Sequence, residues 1–161
     1  MRLTDYTDYT LRTLIYLGLH RDHVVTIREI SEAYGISNNH LTKVVHQLGR
    51  SGLVLTVRGR GGGLRLGCEP AQINIGHVVR LTEPDFNLVE CFDHQRNDCV
   101  LAPACELKNL LQRATHAWLA VLDQVTLEQI LSNAGQLHSL RKSVPLSIAG
   151  LVPIKLAKAE A

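Results

Sequence analysis

Three of the chain's four cysteines, Cys91, Cys99 and Cys105, fall inside the stretch VECFDHQRNDCVLAPACELKNLL at residues 89–111. Their spacing, seven intervening residues and then five, is wider than the CxxC pairs of zinc ribbons and knuckles. Three thiolates form a soft donor set that suits zinc or iron–sulfur chemistry, and a fourth ligand must come from elsewhere. His94, within the same stretch, would complete a structural zinc site. Pro103 and Ala104 are expected in the first turn of a long helix, which puts Cys105 where free backbone N–H groups and the helix dipole favour a thiolate. Cys68 lies far from the triplet and is read as an ordinary small buried or half-buried residue.

Composition says which compartment such thiols meet. The 161 residues are 45% hydrophobic, enough for one main core and a small appendage. The opening MRLTDYTDY carries acids and no apolar run, and nothing approaches a membrane span, so a soluble cytoplasmic protein without membrane contact is expected. In a reducing cytosol, clustered cysteines point to metal or redox chemistry rather than structural disulfides. No Ser/His/Asp set, phosphate loop or paired carboxylates stand in a convincing context, so an enzyme is not expected.

Charge is unevenly placed. Residues 1–66 hold nine Lys and Arg against five acids, and no acid occurs between Glu32 and Glu69, an interval that contains Lys43, Arg50, Arg58, Arg60 and Arg65. A cationic strip of this kind suits a polyanion such as DNA. The elements within it agree. A first helix is expected over 7–20 with Thr7 as its cap, and a short second helix follows Thr26 through a Thr26/Glu29 capping box to a stop at Gly35. Ser37 caps a third, whose Leu41, Val44, Val45 and Leu48 turn inward while Asn38, Asn39, His40, Thr42 and Lys43 stay free. This is a helix-turn-helix whose last member presents its polar N-terminal turn to a major groove. LVLTV and GLRLG around RGRGGG then form a hairpin, a wing tipped by Arg58, Arg60, Gly61 and Gly62. The predicted DNA-contacting set is therefore Ser37, Asn38, Asn39, His40 and Lys43 with Arg58, Arg60, Gly61 and Gly62.

The fold class that follows is mainly α with a small β-hairpin: a winged helix-turn-helix plus a long dimerisation helix. The latter is read from Leu107, Leu110, Leu111, Ala114, Trp118, Val121, Leu122 and Val125, a seam long enough to pack on the first helix of its own chain and on a second copy. Trp118 is expected in core or interface. Thr126 and Gln129 suggest a capped short helix ending near Ser132. The division expected is 1–67 for the DNA-binding module, 68–103 for a connecting helix and the cysteine loop, 104–132 for the dimerisation helix and the short capped helix, and 133–161 for a tail with no assigned fold.

Taken together, LTDYTDYTLRTLIYL, ISEAYGISNNHLTKVVHQL, VRGRGGGLRLG, INIGHVVRLTEP and the cysteines with PAC resemble the Rrf family of winged-helix regulators from residue 1 to about residue 132, and within it the nitric-oxide-sensing iron–sulfur repressors. The resemblance implies a homodimer on double-stranded operator DNA, with one cluster per subunit on Cys91, Cys99 and Cys105, 4Fe-4S in the first instance and 2Fe-2S as the alternative. It implies that Asp8 of the other subunit is the fourth ligand, and that nitric oxide causes operator release. From the residues alone, Asp8 reads first as a helix N-terminal acid facing the dipole, and only the resemblance favours ligation. Relatives that regulate cluster biogenesis carry a histidine three residues after the third cysteine, where this chain has Lys108. The alternatives kept open are a zinc-stabilised DNA-binding regulator and an iron-responsive or cluster-biogenesis regulator of the same family.

Overall fold

The computed structural model describes residues 2–93 and 95–132. The expectations placed on His94 and on the tail from 133 lie outside the described residues.

The chain starts with helix α1, Asp5–Leu19, capped by Thr4, whose Oγ1 accepts from the Thr7 N–H. The helix thus begins earlier than Thr7 suggests. The cause is distant: Glu83 Oε1 accepts from both the Thr4 N–H, at 2.8 Å, and its hydroxyl, at 3.1 Å, which fixes Thr4 in extended conformation. Thr7 is instead buried inside the helix, donating to Thr82 Oγ1 at 2.9 Å. Thr10 and Thr13 are buried as well, and each hydroxyl is satisfied by the carbonyl one turn back. Small satisfied hydroxyls let neighbouring helices approach α1 closely without an unpaired polar atom.

Helix α2, Ile27–Tyr34, has the complete Thr26/Glu29 capping box and ends at Gly35 in the left-handed region, φ 66°. Helix α3, Asn38–Arg50, is capped by Ser37 and buries Leu41, Val44, Val45 and Leu48, as the periodicity predicts. The strands β1, Val54–Val57, and β2, Gly63–Leu66, pair antiparallel in the register Val54↔Leu66 to Val57↔Gly63. A bridge between Val25 and Leu64 ties the hairpin to the segment ahead of α2. Leu14, Leu17, Val25, Ile30, Leu41, Val44, Leu48 and Val54 meet in one fully buried core that locks α1, α2, α3 and the hairpin together. Truncating one of them to alanine, Leu41 for example, would cost about 2–5 kcal/mol.

Helix α4, Ile75–Thr82, is capped by Asn74 and leads into an irregular segment with 3-10 turns at Glu90–Phe92 and Ala102–Ala104. Helix α5 is Glu106–Asp123 and helix α6 is Leu127–Leu131, the latter with the predicted Thr126/Gln129 capping box. The intrachain packing of α5 differs from the expected seam against α1: α5 packs on α4, and α6 packs on α1. Two glycines explain this. A Cβ on Gly18 of α1 would collide with the Leu131 side chain of α6, and one on Gly76 of α4 would collide with Asp123 at the end of α5. Arg80 then grips the Asp123 carboxylate with two hydrogen bonds, and the Asn74 amide donates to the Asp123 carbonyl at 2.6 Å.

Candidate nucleic-acid interface and cysteine loop

The N-terminal turn of α3 and the tip of the hairpin are open to solvent. Ser37, Asn38, Asn39, His40, Thr42 and Lys43 are all exposed, while the apolar face of the same helix anchors it. Ser37 accepts from the His40 N–H at 3.4 Å and Thr42 donates to the Asn38 carbonyl at 2.8 Å, so Asn38, Asn39 and Lys43 keep their side chains for a partner. Arg58, Gly59, Arg60 and Gly61 form the exposed wing tip. Gly59, φ 101°, and Gly61, φ 77°, take a turn that other residues adopt only with strain. Gly62 has a different use. A Cβ there would press on the Val57 and Gly59 carbonyls, so its glycine is required by the wing's own turn.

The charges on this surface are uncompensated. Among the described residues Arg2, Arg12, Arg21, Arg28 and Arg80 pair with carboxylates, whereas Lys43, Arg58 and Arg60 form no ion pair. Near the start of α2, burial opposes ionisation of Glu29, but the Thr26 backbone and hydroxyl donors outweigh it and hold its carboxyl below the ordinary value. Glu29 is therefore an anionic cap on the side of the module where His23 accompanies it, 3.2 Å away.

Asp8 sits in the first turns of α1, partly exposed, with its carboxylate 2.9 Å from the Arg12 guanidinium. Arg12 lies in turn 6.0 Å from the centre of the Tyr34 ring at the end of α2. Within one chain Asp8 is thus a surface acid with a local partner. Tyr6 and Tyr9, on either side of it, face the recognition helix: the Tyr6 hydroxyl donates to the Lys43 carbonyl at 3.4 Å, and the Tyr9 ring lies 5.9 Å from that of His40. Burial raises the Tyr6 phenol, which keeps its proton for that bond. Neither tyrosine was singled out from the sequence, although their i, i+3 spacing was the available signal.

All four cysteines are free thiols, with Cys91 buried and Cys68, Cys99 and Cys105 half-buried. Cys68 matches its expectation. Cys105 does not sit inside a helix begun by Pro103: Pro103 belongs to the separate 3-10 turn, and Cys105 itself is the residue capping α5. Cys105 occupies the N-cap position of α5 without a side-chain hydrogen bond to the first turn. An open apolar recess of about 340 Å³ lined by Val100, Leu101, Pro103, Ala104 and Cys105 adjoins it. Among the described residues no three His, Cys, Asp or Glu side chains are grouped closely enough to hold a metal ion. Among the described residues the loop is held by bonds such as Ala102 N–H to the Cys99 carbonyl at 3.1 Å and by burial of Cys91 and Ala102. As a donor set the three free thiols fit an iron–sulfur group, whose binding would itself supply the ordering of the loop.

Among the described residues, the outer face of α5 is apolar and exposed. Leu107, Leu110 and Val121 are 61%, 56% and 63% exposed, aligned with exposed Ala114, while Thr115 and Leu119 on the opposite face are buried. Trp118 is half-buried beside Phe86, consistent with a core or interface role. No helix among the described residues is long and apolar enough to cross a membrane.

Residues 3–133 match the model of the Rrf2 family, described as an iron-dependent transcriptional regulator. The HTH-type transcriptional regulator NsrR of Bacillus subtilis is 53% identical over 143 residues, 88% of this chain and 98% of that protein. The NsrR of Halalkalibacterium halodurans is 49% identical over 146 residues, 90% of this chain and 100% of its own. Among solved structures, CymR, the global cysteine regulator of B. subtilis, aligns with a TM-score of 0.66 and 29% identity over 82% of this chain and 97% of its own. These relatives are transcriptional regulators rather than enzymes.

Proposed function

The chain belongs to the Rrf2 family of transcriptional regulators, and from that premise we propose that it is a homodimeric repressor that senses nitric oxide through an iron–sulfur cluster, 4Fe-4S by resemblance. Cys91, Cys99 and Cys105 of one protomer hold the cluster, and Asp8 of the other completes it. What carries the reading is the pairing of three free thiols on an irregular loop with a DNA-reading module, in a chain about half identical to NsrR proteins.

When bound, the cluster supplies iron as the site for nitric oxide. The chain's residues hold it and give it up. The three thiolates would hold the group as soft donors and the Asp8 carboxylate, a hard donor, would be the weakest of the four ligands. Arg12, 2.9 Å away, would pair with that carboxylate whenever it is free of the group. A second copy also accounts for the bare face of α5: its apolar stripe, if paired about a two-fold axis, is removed from water and sets the spacing of two recognition helices. Asn38, Asn39 and His40 then read base edges, while Lys43, Arg58 and Arg60 meet phosphates of operator DNA.

Anaerobic purification with a visible absorption spectrum and iron, sulfide and zinc analysis tests the reading. Iron–sulfur charge-transfer bands that change on addition of nitric oxide, together with loss of operator binding, are expected. A colourless protein carrying zinc refutes it in favour of a zinc-stabilised regulator.

A further inference from the structure

The two tyrosines flanking Asp8 form a ladder. Tyr6 and Tyr9 are one turn apart on α1 and therefore share a face, as do His40 and Lys43 on α3. The rungs pair in opposite order along the two helices, Tyr9 with His40 and Tyr6 with Lys43. Both partners on α3 are exposed residues of the turns that face outward, so this contact touches the DNA-reading surface from behind. Asp8 lies about 100° round α1 from Tyr9, on a partly exposed side of the helix. Its backbone is continuous with both rungs, since it stands between them in one hydrogen-bonded helix.

We propose that Tyr9, supported by Tyr6, is the positioning residue that passes the state of α1 at Asp8 to the recognition helix. A pull on Asp8 shifts or turns the first two turns of α1. The inner face of α1, with Thr7, Thr10, Leu14 and Leu17 buried, Thr7 bonded to Thr82 and Thr4 to Glu83, is the pivot that resists, whereas Tyr6 and Tyr9 on the outer side are only partly buried. The displacement is therefore delivered to His40 and Lys43, and the orientation of the α3 side chains that meet DNA depends on it. Tyr9 contributes ring area and shape, so phenylalanine preserves the rung and a smaller, non-planar leucine removes it. This inference rests on the reading of Asp8 given above.

The test compares wild type, Tyr9→Phe, Tyr9→Leu and Asp8→Ala, each with and without the cluster, in anaerobic operator titrations at matched cluster occupancy. Wild type should show an affinity contrast between the two states on the order of tenfold or more, the usual range of such coupling. Tyr9→Phe should keep that contrast. Tyr9→Leu should bring it to within about threefold of unity, with the cluster spectrum and thermal midpoint of wild type. In the cluster-free protein, the ring-current shift of the His40 imidazole protons should persist in Tyr9→Phe and vanish in Tyr9→Leu. A Tyr9→Leu protein with the full contrast, or an unchanged His40 resonance, overturns the inference. If Asp8→Ala keeps the contrast while Tyr9→Leu loses it, the tyrosine link stands and the fourth-ligand assignment falls. A wild type that takes up no cluster, or shows no contrast, overturns both.

Discussion

Replacing Arg60 by alanine is the most direct probe of the proposed DNA face, because the structure says how large its effect must be. Arg60 is exposed at the wing tip, and Lys43, Arg58 and Arg60 lack ion pairs among the described residues. Each such cation is free to neutralise a phosphate and release a counterion. In a two-fold dimer one substitution removes two contacts, which lowers the slope of log affinity against log salt by about 1.8, at ~0.9 per phosphate. Between about 50 and 200 mM salt, wild type should then lose about tenfold more affinity than Arg60→Ala. Arg58→Ala in addition should double the effect on the slope. Fluorescence anisotropy on any duplex suffices, since phosphate contacts carry no sequence information. Arg28→Ala is the internal control: Arg28 is exposed too, but its guanidinium is held by Glu32 at 2.7 Å. Slopes unchanged in Arg60→Ala and Lys43→Ala, or equally changed in Arg28→Ala, would refute the assigned surface.

Three further outcomes are expected. Gly76→Ala should destabilise the chain by about 1–3 kcal/mol in urea unfolding, because a buried Cβ meets the Asp123 backbone and side chain; an unchanged midpoint would show that α4 and α5 can separate freely. Cys91→Ser, Cys99→Ser and Cys105→Ser should each abolish cluster binding in the iron and sulfide assay while Cys68→Ser retains it, and a cluster lost from Cys68→Ser would overturn the ligand set. Hydrogen bonds donated by the His23 ring first to Asp22 and then to Glu29 raise His23 above the ordinary 6.5, so its small, solvent-screened contribution to stability is complete below that value and lost as pH rises through the higher folded value. His23→Gln should flatten the fall in thermal midpoint on that alkaline side, and an identical pH profile would show the contact to be idle.

How much of this could be read from sequence depended on the range of the interaction involved. The capping boxes at Thr26/Glu29 and Thr126/Gln129, the Ser37 cap and the Gly35 stop are contacts across three to five residues, and all were legible. The wing was legible for a related reason, since two short β-prone runs around a glycine turn have a single local solution. The start of α1 was misplaced because Thr4 and Thr7 are both competent caps, and Glu83, 79 residues away, decides between them. The partner of α5 was misplaced because its apolar seam is symmetric enough to suit several helices. The choice was made by Gly76 with Arg80 and Asp123, where a missing Cβ and a two-pronged ion pair meet across 43 residues.

The cysteine site marks a different boundary. A packed core is legible because the chain alone pays its ordering entropy through burial, and the pattern of apolar residues records it. Ligands for a labile cluster have the opposite requirement: thiols already locked at ligand distances would leave cluster loss without a structural consequence. The loop from Val89 to Cys105 carries two short 3-10 turns and few long-range ties, and among the described residues its thiols form no metal-binding group. In the proposed mechanism that looseness is what lets ligation order the loop and release disorder it, with the energy difference passed to α1 through Asp8. The residue types are therefore visible in the sequence, while in the proposed mechanism their geometry belongs to the loaded dimer and not to the folded chain alone.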